Sequence, residues 1–380
     1  MSSRILVCRR YPGCPGAGSR TGGRMPAGSA NQTKSNFTKG GAPTILYEYT
    51  GNIHIHSRFS DGSGTVPQII RAARAARLDF IVLTDHRTLA ARRYRGRHRG
   101  LLVLVGEELG ESSGHYLGLG IREASPATRP REMIAAVAAQ GGVGIIAHPD
   151  DRLFPWPDWN VEGYDGLSLW NFTSQWRWSL RGWRWLVYPF FPALAITAPP
   201  AATRTRWDAA NRGREGRLIA AIGASDAHAF GWRPLGLPLV ILPYRLLFRA
   251  INTHVLLDRP LSGRPDEDEG LILDALRRGS SFVANDLHRS ARGFRFWAEG
   301  RDGCWGMGTI LPAGSIRRLL VELPSPGWMV LLRDGRPVRA AFGRSLALEA
   351  PPPGLYRVEV YLDPRAERGW IFSNPIRLRT

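Results

Sequence analysis

Between about residues 44 and 290, short apolar runs of strand type alternate with segments whose apolar positions recur at helical spacing. The run from Ile45 to Ile55 predicts a first strand, and its period of two puts His54 and His56 on one side. Val66 to Leu78 predicts a helix rich in Ala and Arg, with Pro67 in the first turn, where the missing N–H is tolerated. Ile81-Val82-Leu83 completes a strand–helix–strand unit. Further strand runs are Leu101 to Val105, Val143 to Ala147 and Leu218 to Ala224, with a helix from Arg129 to Gln140 closed by Gly141-Gly142. Asp266 to Gly279 predicts a helix with Asp266-Glu267-Asp268-Glu269 in its first turn, Arg277-Arg278 in its last, and a glycine cap. Both charge blocks favour the helix dipole, so the acidic run has a structural explanation and is a poor metal site. Strands interleaved with helices in this way imply an α/β fold with a largely parallel sheet.

After about Ala291 the helical pattern stops. Phe294 to Ala298, Arg318 to Leu323, Trp328 to Leu332, Leu346 to Glu349 and Tyr356 to Leu362 alternate with Gly, Pro and Asp turns. That spacing predicts a small antiparallel β-sandwich of immunoglobulin-like kind over 291–380, packed on the barrel or serving a substrate edge or oligomer interface. Residues 1–43 are rich in Gly, Ser, Arg and Pro without periodicity, which predicts a disordered basic segment; Met25 is an alternative internal start. The aromatic stretch from Phe154 to Phe191 has no clean period and is expected as an insertion over the strand ends. Within it begins an apolar run from Trp185 to Ala198, interrupted by Pro189 and Pro192. It is shorter than the roughly 20 residues a spanning helix needs, so a buried or rim segment is expected, although its flanking Trp and Arg also suit an interface. The N-terminus lacks the apolar core of a signal peptide, which leads to the expectation of a cytoplasmic protein without a transmembrane segment.

Charge changes this picture little. The net charge is +19, yet Lys34 and Lys39 are the only lysines and arginine supplies the rest. Coding bias explains such a skew as well as a phosphate-binding surface does. Seven basic residues and no acidic one fall within 1–43, outside the expected fold. A nucleic-acid partner is therefore compatible with the chain but not required by it. Cys8, Cys14 and Cys304 form no C-x2-C pair and no disulfide framework, as expected of incidental thiols.

The chemistry lies at the ends of the strand runs. His54-Ile55-His56 with Asp61, Asp85-His86, Glu108 with His115, His148 before Pro149, and Asp226-Ala227-His228 follow one another along the chain. Imidazole and carboxylate are the ligands that borderline divalent metals take. In a parallel α/β barrel the C-terminal strand ends meet on one face, so these clusters become neighbours there. His98, His254 and His288 match no such cluster and are expected to be ordinary histidines.

The order H-x-H-x4-D, T-D-H, G-x-E-x6-H, A-H-P and S-D-A-H over roughly residues 44–290 resembles the PHP superfamily, named for polymerase and histidinol phosphatase. Ser168-Leu169-Trp170-Asn171, Arg206-Trp207-Asp208, Gly223 to His228 and Ser373-Asn374-Pro375-Ile376 are similar to its carbaryl-hydrolase-like (CehA/McbA) branch. The resemblance implies a distorted (β/α)7 TIM-like barrel over 44–290 and a trinuclear site of divalent ions: Zn, Mn or Fe. It implies that His54, His56, Glu108 and Asp226 hold one ion and that Glu108 bridges to a second on His115 and His148. Asp61, His86 and His228 would hold the third. Catalysis would use metal-bound water, with Glu108 and Asp226 at the centre of the charge. Register favours Glu108 over its neighbour Glu107 for the bridge.

Arg87 replaces the Asn or Asp that commonly follows T-D-H in this family; it is a candidate anion clamp or a surface arginine. Trp170, Trp176 and Trp178 are candidates for an apolar leaving-group pocket or for core packing. The expected activity is hydrolysis of a phosphate ester, either a small molecule or a nucleotide or oligonucleotide end. A carbamate or carboxylic-ester hydrolase and a non-catalytic metal-binding module are the alternatives. Substrate, metal identity and oligomeric state are not encoded in any motif.

Overall fold

Strands whose side chains are buried on both faces pair in parallel, as they must when helices cover a sheet. The computed structural model describes residues 37–39, 42–44, 46–111, 114–232 and 239–380. The segment before residue 37, with Cys8, Cys14, Met25 and Lys34, lies outside the described residues. Phe37–Lys39 and Ala42–Thr44 pair as a short antiparallel hairpin.

A closed barrel runs through Tyr47–Ile55, Phe80–Leu83, Leu101–Leu109, His115–Leu119, Val143–Ala147, Gly166–Asn171 and Ala220–Ala227, and returns to Tyr47–Ile55. It departs from the expected repeating parallel unit at His115–Leu119. This strand is antiparallel to both neighbours and follows Leu101–Leu109 without an intervening helix. The reversal matters for the chemistry: an antiparallel strand starts where its parallel neighbours end, so His115 at its start reaches the same rim. Helices are also fewer than one per strand; Val66–Ala75 and Pro130–Ala139 cover part of the outer face, and no helix separates Val143–Ala147 from Gly166–Asn171.

Alternation along the barrel strands separates two cores. Val82, Leu104, Leu117, Ile145 and Ile222 meet inside, where the helix Pro265–Arg278 adds Ile272, Ala275 and Leu276. Ile81, Leu83, Val103 and Val105 face the outer helices with Ile69, Met133 and Val137. Ile53 belongs to the inner set and Ile55 to the outer set, although two residues apart they should share a face. A bulge explains the switch. The register slips between Ile53 and Ile55 against the next strand, and His54 takes the left-handed region with φ 72°.

The C-terminal residues are all-β, as expected, but they are not a separately hydrogen-bonded sandwich. Ile251–Leu257 pairs with the first half of Tyr47–Ile55, then with Ser281–Asn285, which pairs with Gly369–Ser373. Hydrogen bonding therefore continues from the barrel into the C-terminal sheet. The long hairpin of Ile316–Arg333 and Arg336–Glu349 breaks register between Glu322 and Gly327; one half pairs with Arg295–Gly300 and the other with Gly354–Tyr361. Thr33 to Thr380 forms one compact unit.

Side chains reinforce this junction. Asn374, fully buried, accepts from the Ala221 N–H at 2.7 Å and donates to the carbonyls of Ala221 at 3.0 Å and Ser281 at 2.9 Å. Asn374 thus ties the C-terminal segment to the barrel strand that carries Asp226. Arg357 grips Asp208 with two donors, at 2.7 and 2.8 Å, and lies over the Trp207 ring. The Arg206-Trp207-Asp208 and Ser373-Asn374-Pro375 motifs are thereby docking elements.

His254 sits in the same junction. Its Nδ1 is 2.8 Å from Glu48 Oε1 and its Nε2 is 2.9 Å from Asp286 Oδ2, while Arg295 also reaches Glu48 at 2.7 Å. Burial disfavours the imidazolium, but Asp286 and Glu48 outweigh it and raise the pKa to about 9. A raised folded-state pKa contributes stability that is complete below the ordinary value of 6.5 and is lost as pH rises toward about 9. His254→Gln should therefore cost about 3–5 kcal/mol at neutral pH, because it leaves buried carboxylates short of a cation. Urea unfolding across that pH window should show a steeper loss of stability in the wild type than in the variant; equal slopes would remove His254 from the account.

Candidate metal centre

Nine side chains from separated stretches of chain meet at one rim of the barrel. They fall into three groups able to hold a metal ion: His54, His56, Glu108 and Asp226; Glu108, His115 and His148; and His56, Asp61, His86 and His228. Each group's donor atoms lie within 4.8 Å of one another. His56 takes part in two groups through its two ring nitrogens. Nε2 faces Glu108 at 2.9 Å and Nδ1 faces Asp61 at 3.3 Å.

Glu108 is at the hub, only 1% exposed. Its Oε2 lies 2.7 Å from His54 Nε2 and 2.9 Å from His56 Nε2, and its Oε1 lies 2.8 Å from His115 Nδ1 and 3.2 Å from His148 Nε2. His56 Nε2 and His115 Nδ1 are buried and close to this carboxylate, yet neither has the angular geometry of a hydrogen bond to it. His54 Nδ1 and His148 Nδ1 are also buried without a partner. Buried polar atoms ordinarily find partners. His54 Nε2 and His148 Nε2 do hydrogen-bond Glu108, so the four imidazole nitrogens around it divide into two that are paired and two that are not, a donor set of the types that a shared cation takes. Burial pushes the Glu108 carboxyl up, but His54 and the neighbouring imidazoles outweigh it and hold it well below the carboxylate range. Asp226 is likewise held down against burial by His54, His228 and His148.

Outer contacts fix which ring nitrogens face inward. His115 Nε2 is 3.1 Å from the Glu111 carbonyl and His228 Nδ1 is 3.0 Å from the Asp226 carbonyl; N–H donation there leaves His115 Nδ1 and His228 Nε2 as acceptors toward the site. The backbone at the strand ends is held in unusual shape: φ is 72° at His54, 24° at His148 and 52° at Asp226. Such positions persist only where neighbours over-determine them. Around Asp226 those neighbours are explicit. The Thr173 hydroxyl lies 2.9 Å from the carbonyls of both Ser225 and Asp226, and the Tyr244 hydroxyl lies 2.7 Å from the His56 carbonyl and 3.2 Å from that of His228.

Two of these supporting residues, Thr173 and Tyr244, had no signal in the sequence pattern. Asp85, from the T-D-H motif, faces no metal group; it accepts from the Ser57 N–H at 2.7 Å, the Ser57 hydroxyl at 2.8 Å and the Ser60 hydroxyl at 2.8 Å. It pins the loop between His56 and Asp61. Thr173 and Tyr244 act on backbone carbonyls, which no spacing rule reveals. Glu107 accepts from the Ser125 N–H at 2.9 Å, and burial raises its pKa.

The two candidate substrate residues are placed differently. Trp170 is fully buried in the hydrophobic core, meets Phe372 edge-on at 5.4 Å, and donates to Gln175 at 2.8 Å, so it does not line the cavity. Arg87, half exposed at the rim, forms an ion pair with Glu111. Trp176 is buried, whereas Trp178 lines a cavity of about 220 Å³ beside His148. Leu153, Leu169 and Pro200 supply apolar wall, and Ser168 Oγ, Asn171 Nδ2 and Arg177 Nε are buried there without partners. The open side of the cluster is elsewhere: Asp61 is 54% exposed and His86 28%, while the other seven side chains are buried.

Two curated proteins share sequence with this chain. A phosphoribosyl 1,2-cyclic phosphate 1,2-diphosphodiesterase from Eggerthella lenta is 34% identical over 85 residues, 20% of this chain and 32% of its own length. A 3',5'-nucleoside bisphosphate phosphatase from Chromobacterium violaceum is 34% identical over 115 residues, 25% of this chain and 40% of its own. The chain thus spans about a third to two fifths of the length of these relatives, both of which are phosphate-ester hydrolases by name. Among solved structures, a two-domain protein from Bacteroides vulgatus described as containing a predicted PHP-like metal-dependent phosphoesterase is 14% identical. The alignment covers 92% of this chain and all of that one, with a TM-score of 0.39. No protein-family model matches.

Glu108→Gln should strip most bound metal and lower hydrolysis by more than about 100-fold, the upper end of what an outer-shell loss costs. Asp85→Asn should cost about 10–100-fold through the loosened loop, and Glu107→Gln less than either. Metal analysis of the purified variants checks the order, and a larger metal loss from Glu107→Gln than from Glu108→Gln would reverse the assignment.

Proposed function

We propose that this chain is a PHP-superfamily metal-dependent phosphoesterase, of the carbaryl-hydrolase-like branch, that hydrolyses a phosphate ester: a small molecule, or a nucleotide or oligonucleotide end. In this reading residues 44–290 form the hydrolase domain and 291–380 a β-domain docked on it. Three divalent ions, Zn, Mn or Fe, are held by the ligand sets His54, His56, Glu108 and Asp226; Glu108, His115 and His148; and Asp61, His86 and His228. The single observation behind it is the hub at Glu108, where four imidazole nitrogens converge on one buried carboxylate and those of His56 and His115 do so without hydrogen-bonding it. Resident divalent ions would lower the pKa of coordinated water to about 7 and offset charge developing on the phosphoryl oxygens.

The chain's own residues divide the remaining work. Buried His54, His56, Glu108, His115, His148, Asp226 and His228 exclude bulk water from one side, so a phosphoryl group approaches past Asp61 and His86. Ser57 and Ser60 both donate to Asp85, which ties their hydroxyls to the loop after His56. In this reading water supplies the incoming oxygen. On the His148 side, Ser168, Asn171 and Arg177 offer hydrogen-bond donors to a leaving group whose apolar part lies against Trp178, Leu153 and Leu169. That apolar wall also favours a second reading, an aryl carbamate or carboxylic-ester hydrolase using the same ions.

Metal-reconstituted protein, assayed with an aryl phosphate, a phosphodiester and an aryl carbamate sharing one chromophore, should hydrolyse a phosphate substrate fastest. In oxygen-18-labelled water a single turnover of the monoester should place one labelled oxygen in the released phosphate. Label only in the alcohol, or a trapped phosphoenzyme, contradicts direct attack by water; inert phosphates beside a hydrolysed carbamate favour the second reading.

A further inference from the structure

Large apolar side chains are normally buried, and a cluster left in solvent on a folded surface marks a contact surface. Such a cluster occurs here within the excursion between the barrel strands Gly166–Asn171 and Ala220–Ala227. Trp183, Trp185, Leu186, Phe191 and Leu194 are each between 60% and 77% exposed. They lie on and around the short helix Arg184–Val187 and the 3-10 turn Pro192–Ala195.

The excursion is anchored rather than loose. Trp176, buried, donates to the Tyr188 carbonyl at 2.9 Å, and Gln175 donates to the Ala198 carbonyl at 2.8 Å. Trp183 packs edge-on against Tyr188 with ring centres 6.3 Å apart, and the buried Pro189 and Pro192 face inward. The exposed rings are thus presented outward from a fixed base.

Charge points to the partner. From residue 166 to 207 the chain carries five arginines and no carboxylate. Arg177, Arg204 and Arg206 are paired with Asp151, Glu359 and Asp150 from outside the segment. Arg181 and Arg184 are exposed among the apolar side chains, and among the described residues neither has a carboxylate partner. Trp, Leu and Phe that can enter the acyl boundary, beside arginines at headgroup level, are the composition of a membrane-interface anchor. Anionic headgroups supply the countercharge. No helix among the described residues is long and apolar enough to cross a membrane, so the contact is peripheral.

We propose that the Trp183–Leu194 patch docks this protein onto an anionic lipid bilayer, with Trp183, Trp185, Leu186 and Phe191 entering the interface and Arg181 and Arg184 pairing with lipid phosphates. Trp178, 43% exposed, lines the cavity beside His148 and precedes the patch by five residues along the chain. Such docking holds whichever ester the site cleaves.

The full chain tests it in vesicle co-sedimentation. It should bind vesicles of phosphatidylcholine mixed with phosphatidylglycerol and bind pure phosphatidylcholine at least about tenfold more weakly. The combined variant Trp183→Ala, Trp185→Ala, Leu186→Ser and Phe191→Ser, with unchanged melting temperature and metal content, should lose that binding, although the basic N-terminal segment is kept. If the variant fails to fold, Trp183→Phe with Trp185→Phe replaces it: quenching of tryptophan emission by acyl-brominated lipid should fall relative to wild type. Wild type that ignores anionic vesicles, or a folded patch variant that binds them equally well, overturns the proposal. So does sedimentation of wild type as a dimer that the patch substitutions convert to monomer without any vesicle binding, since a second copy would then be the occupant.

Discussion

A carboxylate almost entirely removed from water keeps its charge only if cations or hydrogen-bond donors surround it. Glu108 meets that demand with four imidazoles contributed by three other stretches of chain, and the rest of the barrel rim is arranged to deliver them. The strand order follows from the same requirement. Parallel strands bring His54, His56, His148 and Asp226 to one end, and the reversed strand His115–Leu119 brings its first residue to the same end. Were that strand parallel, His115 would lie at the opposite mouth of the barrel.

Where so many imidazoles and carboxylates meet at one point, the backbone that carries them is distorted. His54 occupies a bulge, and the register of Ala220–Ala227 slips against Tyr47–Ile55 just before Asp226. Hydrogen bonds hold these bends in place: Thr173 and Tyr244 bind carbonyls of the segments that carry the clustered side chains, and Asp85 binds the loop after His56. Asn374 then fixes the Asp226 strand from the far end of the chain, which makes the C-terminal sheet a structural support of the site.

The clusters of His, Asp and Glu were legible in the sequence because each is compact, ends an apolar run and carries residue types with few other reasons to cluster. Glu108 faces the imidazoles and Glu107 the Ser125 backbone, since adjacent strand residues face opposite sides. Alternation alone also put His54 and His56 on one side, but it missed the bulge that moves Ile55 to the outer core. Less local features were not legible. Trp170 resembles a pocket residue by composition and is core by position, whereas Trp178 eight residues on lines the cavity. The apparent domain break near residue 290 follows a real change from helix to strand, yet a shift in periodicity carries no information about hydrogen bonds between distant strands. Those bonds join Tyr47–Ile55 to Ile251–Leu257 and onward to Gly369–Ser373.

The central claim is that one buried carboxylate organises a shared metal cluster. Anomalous-scattering maps of crystals of the metal-reconstituted protein test it most directly. The account predicts ions in the cleft between His54, His148 and His228, with two of them contacting the Glu108 carboxylate. Ions confined to the Asp61 and His86 edge, or a fully loaded protein with none touching Glu108, would contradict it.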